Sequence, residues 1–423
     1  MNFDKLIENP VDESPVDRGW GEGPSARYEA LAARFRGLFA DIRAGAIERE
    51  LNRGLLHEPV RALATAGFTA LRVPEEYGGA GASLPELFQL LVELGQADSN
   101  VVQAIRAHLG FVETVLNSSR REWRAHWLQQ LAGGVLVGPG RSESGEVAQG
   151  KYTTRLEQQG GEWRLNGTKF YSTGALYSDW IDVGAHGVDG TAYVVLVRRD
   201  DPGVEPLDDW NGFGQRLTSS GTTHYRNVLV APEQVRLDEE RFAYYQAFYQ
   251  LTHLANAAGI GRAISDETAR AVRERTRSFS HGNADLVRHD AQVLDVVGKL
   301  RSSAYSAGAL VQANAKALER AWQAAQSGDA QRLAHARAIA DLEIAQSQDW
   351  VFELIIDAAG RLFDALGASS TLTPLGLDRF WRNVRTLATH NPKIYKNRIA
   401  GDFAVNGTPA PDQWKIGVVQ AGA

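Results

Sequence analysis

Between residues 25 and 135 the apolar positions recur three and four apart, the spacing that lines one face of a helix. Ser83-Leu84-Pro85-Glu86 is a capping box: hydroxyl and carboxylate answer backbone N–H groups that a helix start leaves without partners. Leu87, Leu90, Leu91 and Leu94 carry the stripe onward, and Asp98-Ser99 offers the next cap. Val101, Ile105, His108 and Val112 share a face of the following helix, so one imidazole stands in an apolar row. From about 136 to 235 glycines multiply and the period shortens. Tyr152, Thr154 and Leu156 alternate with polar neighbours, Gln159-Gly160-Gly161 turns the chain, and Trp163 and Leu165 alternate on the return; this predicts a hairpin. Thr191 to Arg198 and Thr222 to Val230 are further β-rich runs, so the zone reads as a small β barrel or sandwich. From about 238 to 365 long helical patterns return, with room for three or four helices of 25 residues or more, lengths that suit a bundle. A last helix is expected near Leu375 to Leu387, before a tail punctuated by proline and glycine.

Composition narrows the function. Lys+Arg 45 against Asp+Glu 51 gives a net charge of −6 without a long basic run, which argues against nucleic acid. No segment approaches about 18 uninterrupted apolar residues, so no membrane span is expected. The acidic start, Met1 to Val16, lacks the apolar core of a secretory signal, and the expectation is a cytoplasmic protein. The chain has no cysteine, and Met1 is its one methionine, where roughly ten or more sulfur side chains would be ordinary. Disulfides, thiolate nucleophiles and zinc–sulfur sites are therefore excluded. Oxidation resistance and sulfur economy both account for such a void, as does thermal adaptation.

Familiar motifs are missing. Gly259-Ile260-Gly261 lies inside a helical stretch, follows no strand and lacks the third glycine of a dinucleotide fingerprint, so it reads as helix packing. There is no phosphate loop, no G-x-S-x-G elbow, and no second histidine at zinc spacing after His57-Glu58. No metal site is expected. Redox chemistry in this chain needs an organic cofactor.

The order helices, β unit, helical bundle resembles the acyl-CoA dehydrogenase fold. Three segments carry the resemblance: Val73-Pro74-Glu75-Glu76-Tyr77-Gly78-Gly79-Ala80-Gly81, Trp163 through Gly174, and Arg277-Ser278-Phe279. The likeness runs from about 25 to 400 and implies a mainly α protein with a central β domain. Its parts would be an N-terminal helical domain (1–135), a middle β barrel (136–235), a C-terminal four-helix bundle (236–400) and a tail (401–423) whose Phe403, Trp414 and Ile416 would dock on another subunit. Dehydrogenases of this fold remove a substrate proton with a glutamate. Here Glu353 is the last glutamate, and Leu251-Thr252-His253-Leu254-Ala255, the alternative region, has none. In its place stands Arg379-Phe380-Trp381-Arg382-Asn383 running on to Thr389-His390-Asn391-Pro392, with Tyr395, Lys396 and Arg398 behind it. That run, with Asp209-Trp210-Asn211 and Gly214-Gln215-Arg216, resembles the reduced-flavin-dependent monooxygenases built on the same fold, the dibenzothiophene and methanesulfinate monooxygenases among them.

The resemblance implies roles. His390, His108 and Ser172 are the catalytic candidates; an imidazole over the flavin exchanges protons near neutral pH. Ser142, Glu143, Tyr171, Ser172 and Thr173 would hold the flavin ring. Arg277 and Phe279 would meet its phosphate across a subunit boundary, with Ser369, Ser370 and Lys396 also on the cofactor. Trp210 would wall the substrate pocket, and Arg106 and Arg141 are candidate cations for an anionic substrate. The implied enzyme is a homotetramer using reduced FMN (FAD being the other possibility) and O2. A separate NAD(P)H-dependent flavin reductase would supply the FMNH2. Sulfur economy favours a small organosulfur substrate, an alkanesulfinate first. The alternatives are a larger sulfide or thiophene, an amine or an aromatic, or acyl-CoA dehydrogenation.

Overall fold

The computed structural model describes residues 19–145 and 151–411. Trp414 and Ile416 of the tail, and the acidic start up to Val16, lie outside the described residues. Six helices come first: α1 (Tyr28–Ala44), α2 (Ala46–Asn52), α3 (His57–Thr65), α4 (Leu84–Ala97), α5 (Ser99–Leu116) and α6 (Arg121–Ala132). The Ser83 capping box forms, with the Ser83 N–H donating to the Glu86 carboxylate at 2.7 Å. Asp98 caps α5 by accepting from the Asn100 N–H at 3.0 Å.

Eight strands follow: β1 (Val137–Gly140), β2 (Arg155–Gln159), β3 (Glu162–Lys169), β4 (Trp180–His186), β5 (Ala192–Arg198), β6 (Val204–Pro206), β7 (Thr223–Val230) and β8 (Val235–Leu237). The expected hairpin joins β2 to β3 with Leu156 opposite Leu165. Gly160 and Gly161 both take positive φ, as its two-residue turn requires. The ladder runs β6-β7-β3-β2-β4-β5-β8, and β1 adds parallel to β4. Strand β5 also approaches β7, four places away in the ladder, so the sheet curls round one apolar core that includes Leu165, Val183, Val195 and Tyr225. Helices α5 and α6 cover its outer face through Phe111, Trp123 and Trp127, with Trp180 from β4 packed against them.

The chain then forms α7 (Tyr245–Glu274), α8 (Ala291–Ser327) and α9 (Ala330–Leu366), of 30, 37 and 37 residues, with the shorter α10 (Asp378–Thr389) and α11 (Lys396–Asn406). The fourth bundle helix is α10, only 12 residues long. Gly259 marks where α7 crosses α4: an added Cβ there would lie 2.6 Å from the Val92 carbonyl oxygen, so the glycine pair is a helix crossing. Among the described residues no helix is long and apolar enough to cross a membrane, and no group of three potential metal ligands occurs.

Candidate active site

One loop ties the three parts together. Between β6 and β7, the Gln215 N–H donates to the buried Asn383 side chain on α10 at 2.6 Å, and the Gln215 amide donates to Ser99 at 3.1 Å. The Leu217 N–H reaches Asn100 at 3.3 Å, and Arg382 donates to the Phe213 carbonyl at 3.0 Å and the Glu50 carboxylate at 2.7 Å. On this loop lies the segment after β3. Ser172 N–H donates to the Gly221 carbonyl and Gly174 N–H to that of Thr218. Gly174, at φ +86°, lies so close to α5 that a Cβ would come within 2.0 Å of the Ala104 carbonyl oxygen. Glycine is the residue this contact permits.

That placement fixes Ser172 at the β-domain–helix junction. The residue is buried, and its hydroxyl has no hydrogen-bond partner among the described residues. Next to it, Thr173 shares a hydrogen bond with Ser220 at 2.8 Å. Tyr171, held at φ +59° and 54% exposed, meets Trp210 edge to face with centroids 6.0 Å apart. Trp210 is anchored by its indole N–H on the Gln215 carbonyl at 3.0 Å. A buried donor without a protein partner beside an open aromatic wall fits a flat heteroaromatic ring. Tyr171, Ser172 and Thr173, expected at the flavin ring, thus lie beside Trp210, expected to wall the substrate pocket.

A cluster of nitrogen bases forms where α5, α7 and α10 meet. Arg106 on α5 donates from Nη2 to His390 Nε2 at 3.3 Å and lies over the Tyr249 ring, 5.2 Å from its centroid. Its Nε is buried and has no partner among the described residues. Desolvation lowers the Arg106 pKa, yet a guanidinium remains charged. No carboxylate among the described residues is bonded to Arg106, His253 or His390. Because Arg106 has only protons to offer, His390 Nε2 must accept, and the neutral ring carries its proton on Nδ1. His390 is exposed, and crowding by protein and then the Arg106 guanidinium place its pKa below the usual histidine range. The His253 ring of α7 packs against it, centroids 4.3 Å apart.

Other expected residues sit elsewhere. His108 is not catalytic: it is buried, Nδ1 accepts from the Val137 N–H at 3.1 Å and Nε2 contacts the Thr69 carbonyl at 3.1 Å, so both nitrogens serve the backbone. Arg141 is no substrate cation, because it lies between Asp182 and Asp238, the latter at 2.6 Å. The Glu143 carboxylate is spent on Thr153, Thr154 and Lys169 (Nζ at 2.6 Å), which makes it a strut of its own loop and not a cofactor contact. Ser142 contributes a carbonyl to the Phe170 N–H at 2.9 Å and leaves its side chain exposed. Lys396 is buried in the bundle, where it lines a crevice with Gln246 and Asp341, and desolvation lowers its pKa to about 8. Arg277 and Phe279 are exposed. The arginine that reaches the Gly367 turn is Arg275, which donates to the Leu366 carbonyl at 2.8 Å and stacks over Phe279. In that turn Ser370 bonds back to the Gly367 carbonyl at 2.6 Å and Ser369 is exposed. The last glutamate, Glu353, is a half-exposed partner of Lys393 at 3.3 Å, so it is not a base facing this cluster. His253, Tyr249 and Arg275 are the residues that sequence reasoning missed.

The acyl-CoA dehydrogenase N-terminal, middle and C-terminal domain families match residues 26–135, 142–228 and 251–392. Dibenzothiophene monooxygenase from Rhodococcus qingshengii is 28% identical over 389 residues, 88% of this chain and 92% of its own. A Pseudomonas putida protein named "Probable FMNH2-dependent monooxygenase SfnC" is 27% identical, over 90% and 96% of the two chains. The structure of methanesulfinate monooxygenase MsuC from Pseudomonas fluorescens superposes with a TM-score of 0.80 at 27% identity, covering 90% of this chain and 98% of that one. FMN-bound TdsC from Paenibacillus sp. A11-2 shares the fold, with a TM-score of 0.82 at 23% identity over 91% and 99%. The chain therefore belongs to the acyl-CoA dehydrogenase family, and within it to the flavin-dependent monooxygenases.

Proposed function

We propose that this enzyme is a two-component, FMNH2-dependent monooxygenase that oxidises a small organosulfur anion, an alkanesulfinate such as methanesulfinate, to the sulfonate. The observation that carries the reading is Arg106: a half-buried guanidinium whose Nε is buried without a partner, which meets no carboxylate among the described residues and donates to His390. A cation left without a counter-charge inside a protein is costly unless a ligand supplies one. Among the described residues no carboxylate is bonded to His390, where a dehydrogenase of this fold would need its base.

Bound FMNH2 would supply two electrons, brought by a separate flavin reductase. The sum balances as RSO2− + O2 + FMNH2 → RSO3− + H2O + FMN. The chain's own residues do the rest. Ser172 offers its free hydroxyl to the flavin edge, and Tyr171 with Trp210 walls the ring. Arg106 pairs with the sulfinate oxygens through charge-assisted hydrogen bonds. As it turns to the anion, it releases His390 Nε2, a lone pair able to take up a proton while Nδ1 keeps its own. The near absence of sulfur side chains suits a protein made when sulfur is scarce.

The test supplies methanesulfinate, FMN, a flavin reductase, NADH and catalase, and measures methanesulfonate. Sulfonate formed in step with NADH, above the reductase-only control, is the expected result. Sulfonate no greater than in that control would remove this substrate class.

A further inference from the structure

His253 stands on α7, one turn after Tyr249, with 1% of its surface exposed. Neither of its ring nitrogens has a hydrogen-bond partner among the described residues. A neutral imidazole carries one N–H and one lone pair, and buried groups of that kind are nearly always paired. His108 shows the ordinary outcome in this same fold, with both nitrogens on backbone groups. His253 differs because of where it lies. Its ring packs on His390, 4.3 Å between centroids and tilted by 44°. His390 also accepts from Arg106, whose Nε is an orphan too and whose charge acts on His253. Two helices thus bring two unmatched donors to one spot, and no carboxylate among the described residues meets either.

We propose that His253 and Arg106 form a two-armed oxyanion site beside His390, in which His253 donates to one oxygen of a small organic oxyanion and Arg106 binds the other. The inference rests on the monooxygenase reading and narrows it. The preferred head group carries two oxygens and a negative charge, as a sulfinate does, and a thioether or thiophene offers His253 nothing to bond. His253 is thereby a specificity residue that touches the substrate.

The experiment is calorimetric titration of the FMN-loaded, full-length protein with methanesulfinate, and with dimethyl sulfoxide as a neutral probe of similar size. Four proteins are compared: the parent, His253→Leu, His253→Gln and Arg106→Leu. Loss of one hydrogen bond to a charged group predicts that His253→Leu weakens methanesulfinate at least about tenfold, with the sulfoxide and FMN affinities unchanged. His253→Gln, whose amide still donates, recovers part of the loss and carries the test should the leucine variant melt early. If Arg106→Leu abolishes methanesulfinate binding while both His253 variants bind like the parent, the His253 arm is wrong and the sulfinate reading stands. If the parent binds the sulfoxide and no methanesulfinate, the oxyanion site and the sulfinate reading fall together.

Discussion

Helix α5 carries two charges on one face, the half-buried Arg106 and the buried Glu113, seven residues and so two turns apart. Around Glu113 every demand is met. Its carboxylate accepts from Arg72 at 2.7 and 3.5 Å and from the Tyr244 hydroxyl. Around Arg106 the described residues supply the His390 imidazole and the Tyr249 ring and leave Nε without a hydrogen-bond partner. The helix face is shared; the depth of burial and the counter-charge differ. A buried charge that the fold neutralises serves stability, whereas one that it leaves open awaits an anion from outside.

The comparison breaks most visibly at its closed end. Glu113→Ala strands Arg72 in the interior and should cost about 3–5 kcal/mol of unfolding free energy, read by chemical denaturation. A silent Glu113→Ala would mean that burial at this helix tolerates a lone charge, and the argument from Arg106 would lose its force. His108 sharpens the contrast among the imidazoles. Desolvation lowers its pKa to about 4, below the value near 6.5 of an unfolded chain. The unfolded state therefore binds the proton first as pH falls. The stabilisation is whole above about pH 6.5 and is lost towards pH 4, at up to about 1.4 kcal/mol per pH unit. Denaturation at pH 7 and 4.5 checks this, and His108→Asn should flatten the dependence. At the open end, Arg106→Leu should leave stability unchanged or raise it by up to about 1 kcal/mol, because it removes a charge the fold does not pair. A similarly modest effect is expected at Ser172, where alanine should reduce turnover by roughly fivefold and weaken FMN, in line with one hydrogen bond.

Most of the fold was legible because it rests on local rules. The Ser83 box, the Gly160-Gly161 turn and the leucine stripe act between neighbours in sequence, and each forms where expected. The site was legible only in part. Arg106 meets His390, and the segment that carries Ser172 sets Tyr171 against Trp210. Residue type alone could not show that His108 would be claimed by Thr69 and Val137, or Arg141 by Asp182 and Asp238, since these partners lie 29 to 97 positions away. Arg275 and Arg277 differ by two positions, and which of them turns inward depends on the Leu366 carbonyl, 91 residues on. His253 was not legible because its segment, Leu251 to Ala255, stands out in this fold by the glutamate it lacks. The available signal was its spacing of four from Tyr249, which places both on one face of the first long bundle helix.

The most direct test of the central claim is the rate of methanesulfinate oxidation by Arg106→Leu against the parent, at saturating FMNH2 and with released peroxide measured alongside. Without its cation the site should lose about a hundredfold in kcat/KM, while O2 is still consumed and leaves as peroxide. Parent-like sulfonate formation by Arg106→Leu would show that the unpaired guanidinium is not the anion site, and the account built on it would be wrong.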